Sequence, residues 1–450
     1  MSSEQSKKAV VAVVGAGPAG LYAAEELANN GVEVALINRD IKPGGLAEYG
    51  IYKDKYKMKS GLRRQFDKIL AHESVHYFGN VSIGQKGVLS LDDLRQMDFT
   101  AVLVTVGAQG TKWLGLPGEA LKGVYHAKDL VYHYNKLPPF SEQSFYIGRR
   151  VAIIGVGNVM LDIAHWVIRD LKVDEVTAVA RRGPADVKFT KKEMQAVAEN
   201  LDLEFLQAEI ERSREQMTAA GQDPQEAHDF ILSALNKADT AVSDTRFRLL
   251  FRHSPRRILG NEEGFVTGLE MDKTDLVPRG DGRTGVQNSG ETEVLPVDTV
   301  IFAIGDTVDP SLGLPTDKWN DFAKNPTPRF PIDDISYEVY DPQSGAILPD
   351  IFIAGWAREA SSGLVGAARK DGTRGAKAVL QYIATLPATD CPSIAQLRNH
   401  LIQNKATFVT QRELVNLTTA EQALAATEGL EEFKYSSNKE MLEIIFGAQP

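Results

Sequence analysis

The sequence predicts an α/β protein built on two Rossmann-like dinucleotide-binding domains, and three observations carry that prediction. A short β-branched run, Ala9 to Val14, enters the motif Gly15-Ala-Gly17-Pro-Ala-Gly20. The same strand, glycine turn and helix pattern restarts at Arg150 and reaches Gly155-Val-Gly157. The two turns lie about 140 residues apart, comparable to the usual spacing of domains. A chain of 450 residues holds two or three domains at about 150 residues each.

The elements follow in order. Ala9 to Gly15 reads as a strand, Leu21 to Asn30 as a helix and Val32 to Ile37 as a second strand, which together make a βαβ unit. Val102 to Val106 is a third apolar strand ending at Gly107. In the second unit, Val151 to Gly155 is a strand, Asn158 to Leu171 a helix and Val176 to Ala180 a strand. Glu204 to Ala241 is polar and helix-prone. Asp272 to Glu293, rich in Gly, Asp and Thr, reads as an irregular loop between strands. A late strand, Asp350 to Gly355, precedes a glycine-spaced helix, Leu364 to Ile383, and Pro387 and Pro392 open a tail of short helices.

Composition narrows the chemistry. With 43% hydrophobic and 24% charged residues, the chain falls among ordinary globular proteins. A net charge of −10 argues against a phosphate-neutralising surface, so no nucleic-acid partner is expected. The single cysteine, Cys391, excludes an internal disulfide, a Cys-x-x-Cys redox pair and a cysteine-held iron–sulfur cluster. The longest uncharged run, Ala9 to Ala24, is too short to span a bilayer and is broken by glycine and proline. The amino terminus lacks an Arg-rich amphipathic stretch, so a cytoplasmic location is expected. His72 and His76 suggest no third metal ligand nearby and are assigned to a surface helix. No Ser-His-Asp signature or HExxH motif supports a hydrolase.

In the first unit, Gly15 permits a tight turn, Gly17 lets backbone approach a pyrophosphate at the helix N-terminus, and Gly20 lets helix and strand pack closely. The second strand ends in Asn38 where an acidic ribose ligand is usual, so an amide is expected to bond the ribose hydroxyl. The second unit has Met160 at the third glycine position, which predicts looser helix–strand packing. Its second strand leads into Arg181-Arg182, and an arginine there suits the 2′-phosphate of NADP. Two such sites in one chain suggest hydride exchange between a nicotinamide and a flavin.

These residues resemble the adrenodoxin reductase family of NADPH–ferredoxin reductases. The similarity runs through residues 13–24, Gly-Leu-Ala-Glu-Tyr-Gly-Ile at 45–51, Phe-Gly-Asn-Val at 78–81 and Gly-Val-Gly-Asn-Val-Met-Leu-Asp at 155–162. It continues through Arg-Arg-Gly-Pro at 181–184, Phe-Thr-Lys-Lys-Glu at 189–193, Ile-Ala-Gly-Trp at 353–356 and Ser-Gly-Leu-Val at 362–365. The resemblance implies FAD at the first unit, touching Ala16, Leu46, Val81, Trp356, Gly363, Leu364 and Val365. It implies NADP on Val156, Gly157, Asn158, Val159, Arg181, Arg182 and Glu193, with Gly363 near the nicotinamide. It also implies an NADP domain (108–332) inserted into an FAD domain (1–107 and 333–450). Ser361 to Leu364 would present a helix N-terminus to the anionic edge of reduced flavin. No side-chain acid or base is required for hydride transfer.

The expected partner is an acidic, ferredoxin-like electron carrier. The family docks such carriers partly on a basic helix of the NADP domain, but the corresponding stretch here, Gln222 to Asp229, is acidic. Docking is therefore expected on Lys53, Lys55, Lys57 and Lys59, extended by Arg63, Arg64 and Lys68. A second basic group is Arg246, Arg248, Arg252, Arg256 and Arg257. For each group the alternative is a solvated basic face. Two other functions remain open at this point: reduction of a quinone, flavodoxin or other small acceptor, and a non-enzymatic flavin-binding redox sensor.

Overall fold

The computed structural model describes residues 9–279, 284–360, 365–387 and 393–447. Internal contacts divide the chain into two units, one of Met1–Thr111, Tyr132–Glu142 and Gly305–Pro450, the other of Lys112–Val131 and Gln143–Ile304. The sequence reading put its boundaries after residues 107 and 332. The return at Gly305 has a packing cause: Val308, Leu312, Leu314 and Phe322 are buried in a core of the first unit. Asp306–Thr307 also pairs with Gly110–Thr111.

The first unit is organised on a six-stranded sheet. Its order is Glu338–Tyr340, Ile347–Ile353, Ala101–Val104, Val10–Val14, Glu33–Ile37, Val75–Phe78. All neighbours are parallel except the first pair. Val11, Val13, Leu36 and Leu103 face one buried cluster, while Val10, Ala12, Val14, Val102 and Val104 face another. Burial on both faces explains why these strands read as unbroken apolar runs. The first helix, Pro18–Asn29, starts inside the glycine motif, with proline at its opening turn where no amide hydrogen is missed.

The second unit repeats the design with five parallel strands: Val124–His126, Thr299–Phe302, Arg150–Ile154, Glu175–Val179 and Arg246–Leu250. Its helix Asn158–Arg169 follows the second glycine turn. In each unit the glycine-bearing strand is flanked on both sides. The strands that follow it in sequence are laid down on one side and a later strand is added on the other, so the turn sits at a topological switch point, where open α/β sheets bind ligands.

Three expectations need correction. Asp272 to Glu293 is mostly not loop, because Val266–Pro278 and Thr284–Leu295 form a long antiparallel pair beside His253–Gly260. Thr284–Leu295 is exposed over most of its length, so the apolar alternation that would have marked it is absent. Met160 does not leave a loose interface, since its side chain is completely buried. His72 and His76 are not on a surface helix. His72 follows the helix Tyr56–Leu70 and its Nδ1 accepts from the Ser74 amide, while His76 lies on a strand against Glu33. Among the described residues no group of three or more His, Cys, Asp or Glu could hold a metal ion.

Candidate dinucleotide sites

In the first unit the turn is shaped by what glycine leaves out. Gly15 has φ of +107°, and a Cβ there would stand 2.7 Å from the Thr105 carbonyl oxygen. A Cβ on Gly20 would fall 1.8 Å from the Gly15 carbonyl oxygen. Thr105, which the sequence reading did not single out, donates its hydroxyl to the carbonyls of Val14 and Gly15 at 3.1 and 2.8 Å. Gly17 opens the helix without any side-chain cap, and nothing lies within 4 Å of where its Cβ would be. The result is an uncovered helix start, the arrangement that receives a pyrophosphate.

Other expected ligand residues are brought to this end of the sheet. The Gly44 amide donates to Ala16 O at 2.7 Å, and a Cβ on Gly45 would meet Gly17 Cα at 3.1 Å, so the segment carrying Leu46 lies against the turn. Val81 is buried and its amide donates to Asn38 O at 2.9 Å. Half-buried Trp356 sits on the short turn Gly355–Ala357. That turn abuts the start of the first helix, since a Cβ on Gly355 would be 2.6 Å from Ala19 Cβ. Asp371, missed by the sequence reading, holds the turn in place. It accepts from the Gly355 amide at 2.6 Å, from Tyr337 at 3.0 Å and from the Arg358 guanidinium at 2.7 Å. Val365 begins the described part of the helix Val365–Ile383 and packs on the core, whereas Gly363, Leu364 and Cys391 fall outside the described residues.

Asn38 is the residue whose expected role changes. Its Oδ1 accepts from the Ala16 amide at 3.0 Å, and its Nδ2 donates to Asp40 O, Lys42 O and Tyr77 Oη at 2.9, 3.0 and 3.3 Å. Both amide hydrogens are thus spent inside the protein. Asn38 braces the glycine turn, and its only remaining offer to a ribose is one lone pair of Oδ1.

The second unit matches the first. A Cβ on Gly155, at φ +125°, would stand 2.4 Å from Ala303 O, and Gly157 starts its helix uncapped with open space around it. Val159 is exposed on the first turn. Asn158 Oδ1 accepts from the Thr190 amide and Val156 O accepts from the Lys188 amide, both at 2.8 Å, so the 188–193 segment is tied to the turn. Thr190 in turn caps the short helix Lys191–Met194 through the Glu193 amide at 3.3 Å. The backbone of Arg181 is held by Thr274 at 2.7 Å, and that of Arg182 by the Arg252 amide at 3.1 Å. Arg181 projects an exposed side chain that pairs with no carboxylate among the described residues. The Nε of Arg182 is buried with no hydrogen-bond partner. The Arg181-Arg182 pair follows the strand that neighbours the one ending at Gly155, and a buried guanidinium nitrogen left unmatched at that end of the sheet fits a phosphate-bearing ligand.

The basic groups resolve differently from expectation. Lys59 is not a docking residue, because its side chain is fully buried and pairs with Glu432 at 3.0 Å. Arg63 is likewise engaged, with Glu48 at 2.6 Å and with Glu432. In the second group every arginine is paired within its own unit. Arg246 meets Glu175, Arg248 meets Glu175 and Asp202, Arg252 meets Asp275, Arg256 meets Asp272 and Arg257 meets Glu270. That face is therefore compensated rather than cationic. Glu48 is itself buried. Burial favours its neutral form, but Lys434, Lys42 and Arg63 outweigh that and hold its carboxyl well below the usual range.

Comparison with known proteins agrees with this geometry. The family described as pyridine nucleotide-disulphide oxidoreductase matches residues 9–234. The mitochondrial NADPH:adrenodoxin oxidoreductase of Arabidopsis thaliana is 29% identical, covering 81% of this chain and 80% of that protein. NADPH-ferredoxin reductase FprA of Mycobacterium tuberculosis is 27% identical, covering 97% of this chain and 99% of the relative. The solved structure of Mycobacterium tuberculosis FprA in complex with NADPH superposes with a TM-score of 0.82 at 25% identity, covering 98% of this chain and 100% of that one. With two glycine turns of matching geometry and a family match across half its length, the chain belongs to the pyridine nucleotide-disulphide oxidoreductases.

Proposed function

We propose that this protein is a cytoplasmic NADPH–ferredoxin reductase that holds FAD in the first unit and NADP in the second. The observation that carries the reading is the repeated open helix start, Gly17 in one unit and Gly157 in the other, the second flanked by Arg181 and Arg182. Bound flavin would accept a hydride and release electrons singly, which nicotinamide does not do readily. The chain's own residues bind and orient. The two helix N-termini receive pyrophosphates, Arg181 and Arg182 take the 2′-phosphate, and the Asp371-held turn presents Trp356. The relatives named after ferredoxin and adrenodoxin favour an iron–sulfur acceptor over a quinone or a sensor role. With a single cysteine the chain forms no redox disulfide of its own, so any iron–sulfur cluster belongs to the acceptor. No helix among the described residues is long and apolar enough to cross a membrane.

Anaerobic addition of NADPH to the flavin-loaded protein is expected to bleach the visible flavin band, and addition of oxidised ferredoxin to restore it. A band that does not bleach ends the reductase reading.

For docking, the residues that remain on the surface are Lys53, Lys57, Arg64 and Lys68, with Lys55 half-buried among them. Exchange of Lys53, Lys57 and Lys68 for glutamate is expected to slow ferredoxin reduction about tenfold at low salt and to flatten its salt dependence, with NADPH-driven flavin reduction unchanged. Identical rates and salt slopes would remove this face as the docking site.

A further inference from the structure

We propose that a buried ion network, completed by the chain's C-terminal segment, biases the flavin toward its reduced, anionic form. The proposal rests on FAD occupying the first unit. Lys42 contacts Glu421 at 2.5 Å and Glu48 at 3.6 Å. Lys434 contacts the Glu48 carboxylate at 3.0 Å and donates to the Glu48 carbonyl at 2.8 Å. Lys59 contacts Glu432 at 3.0 Å, and Arg63 joins Glu48 to Glu432. The Tyr435 amide donates to Glu421 at 3.3 Å, which fastens the segment to the same group.

The arithmetic of charge is uneven. Four cations, Lys42, Lys59, Arg63 and Lys434, meet three carboxylates, Glu48, Glu421 and Glu432. Asp67 faces Arg63, Lys42 and Glu48 from the helix Tyr56–Leu70 but is exposed, so solvent screens it. Burial pulls the Lys434 ammonium down to about 8, with Lys59 and Lys42 adding to the fall and Glu48 and Glu432 opposing it, so the excess positive charge is fully present only below that pH. Burying so many charges is expensive. Apolar side chains of similar volume often do as well or better as a purely mechanical tie, so the ionic form calls for another reason.

Position supplies it. Lys42 and Glu48 lie on the segment whose Gly44 amide is bonded to Ala16 and whose Gly45 lies against Gly17. Asn38 Nδ2 also bonds the Lys42 carbonyl, which couples the network to the turn of the proposed FAD site. Hydride transfer brings two electrons and one proton, so it adds one negative charge. Below the pH at which Lys434 loses its proton, an unbalanced cation in a water-poor surrounding stabilises that charge more than it would in bulk solvent.

Three variants of the flavin-loaded protein test this by equilibration with a reference redox dye. Lys434→Met balances the network at three against three, and Glu421→Gln leaves four against two. Lys434→Met is expected to shift the oxidised-to-reduced flavin ratio about tenfold toward oxidised, or about 30 mV for a two-electron couple. Glu421→Gln should shift it in the opposite sense, and Lys434→Arg should leave it unchanged. Should Lys434→Met fail to fold, Glu421→Gln decides alone. Shifts of the same sign, no shift, or loss of the fold in both charge-deleting variants would identify a mechanical tether and overturn the proposal. An unsubstituted protein that takes up no FAD would instead overturn the cofactor reading.

Discussion

Replacement of Gly20 by alanine is expected to yield a protein that is markedly less stable and is purified without flavin. The cause is steric and local. The added methyl would stand 1.8 Å from the Gly15 carbonyl oxygen and 2.6 Å from Thr105 Oγ1, and the first of these is backbone. The first helix would have to move away from the strand, at a cost of about 1–3 kcal/mol for overpacking. Displacing the Thr105 hydroxyl, whose one hydrogen is shared between the Val14 and Gly15 carbonyls, adds about 1 kcal/mol. Gly17→Ala is the instructive contrast. Its φ is −75° and nothing lies within 4 Å of the new methyl, so the fold should lose only a few tenths to about 1 kcal/mol. The methyl would nevertheless occupy space left for the pyrophosphate, so cofactor affinity should fall. Thermal unfolding together with flavin content separates the two effects. Stoichiometric flavin and an unchanged melting temperature in Gly20→Ala would contradict the account of the turn.

Removing Arg181 and Arg182 is expected to abolish the preference for NADPH over NADH. A hydrogen bond to a charged group is worth about 1.5–3 kcal/mol, so loss of each arginine should raise KM for NADPH roughly tenfold to a hundredfold. KM for NADH should stay where it is, because that dinucleotide offers no 2′-phosphate. The turnover number should change little, since neither guanidinium is placed at the reacting ring. Arg182→Ala also deletes the buried Nε that has no partner, so the substitution leaves no new unmatched group from that atom and should not weaken the fold. Steady-state kinetics with both coenzymes check this. Equal efficiency of NADPH and NADH in the unsubstituted protein would remove both arginines as phosphate ligands.

The glycine motifs and the strands that carry them were legible because their signals are local. Gly15, Gly17 and Gly20 answer to backbone within a few residues or on the adjacent strand, and the doubly buried strands announce themselves as apolar runs. The Arg181-Arg182 pair was legible for the same reason, as it follows directly on the strand Glu175–Val179. Asn38 shows where locality ends: its place at the end of the strand was readable, but its donors were spent on Tyr77 and Lys42, which only the folded chain shows.

Charge was the least legible property. Lys53, Lys55, Lys57 and Lys59 look alike in sequence, yet Lys59 is buried against Glu432 while Lys53 and Lys57 face solvent. On the helix Tyr56–Leu70 a period of 3.6 residues turns Lys57 and Lys59 to different faces, and which face meets the tail depends on a contact between residues 373 positions apart. The strand Thr284–Leu295 was hidden for a related reason, because a mostly exposed strand carries no apolar pattern.

The sequence by itself therefore determined the two nucleotide-binding units, their glycine turns and the arginine pair, since each is specified by neighbours along the chain or by burial on both faces of a strand. Only the tertiary structure decided the return of the chain at Gly305, the bracing role of Asn38 and Asp371, and which lysines remain on the surface. Those outcomes depend on partners distant in sequence, whose meeting is set by packing of whole elements and by the cost of leaving a buried charge without a partner.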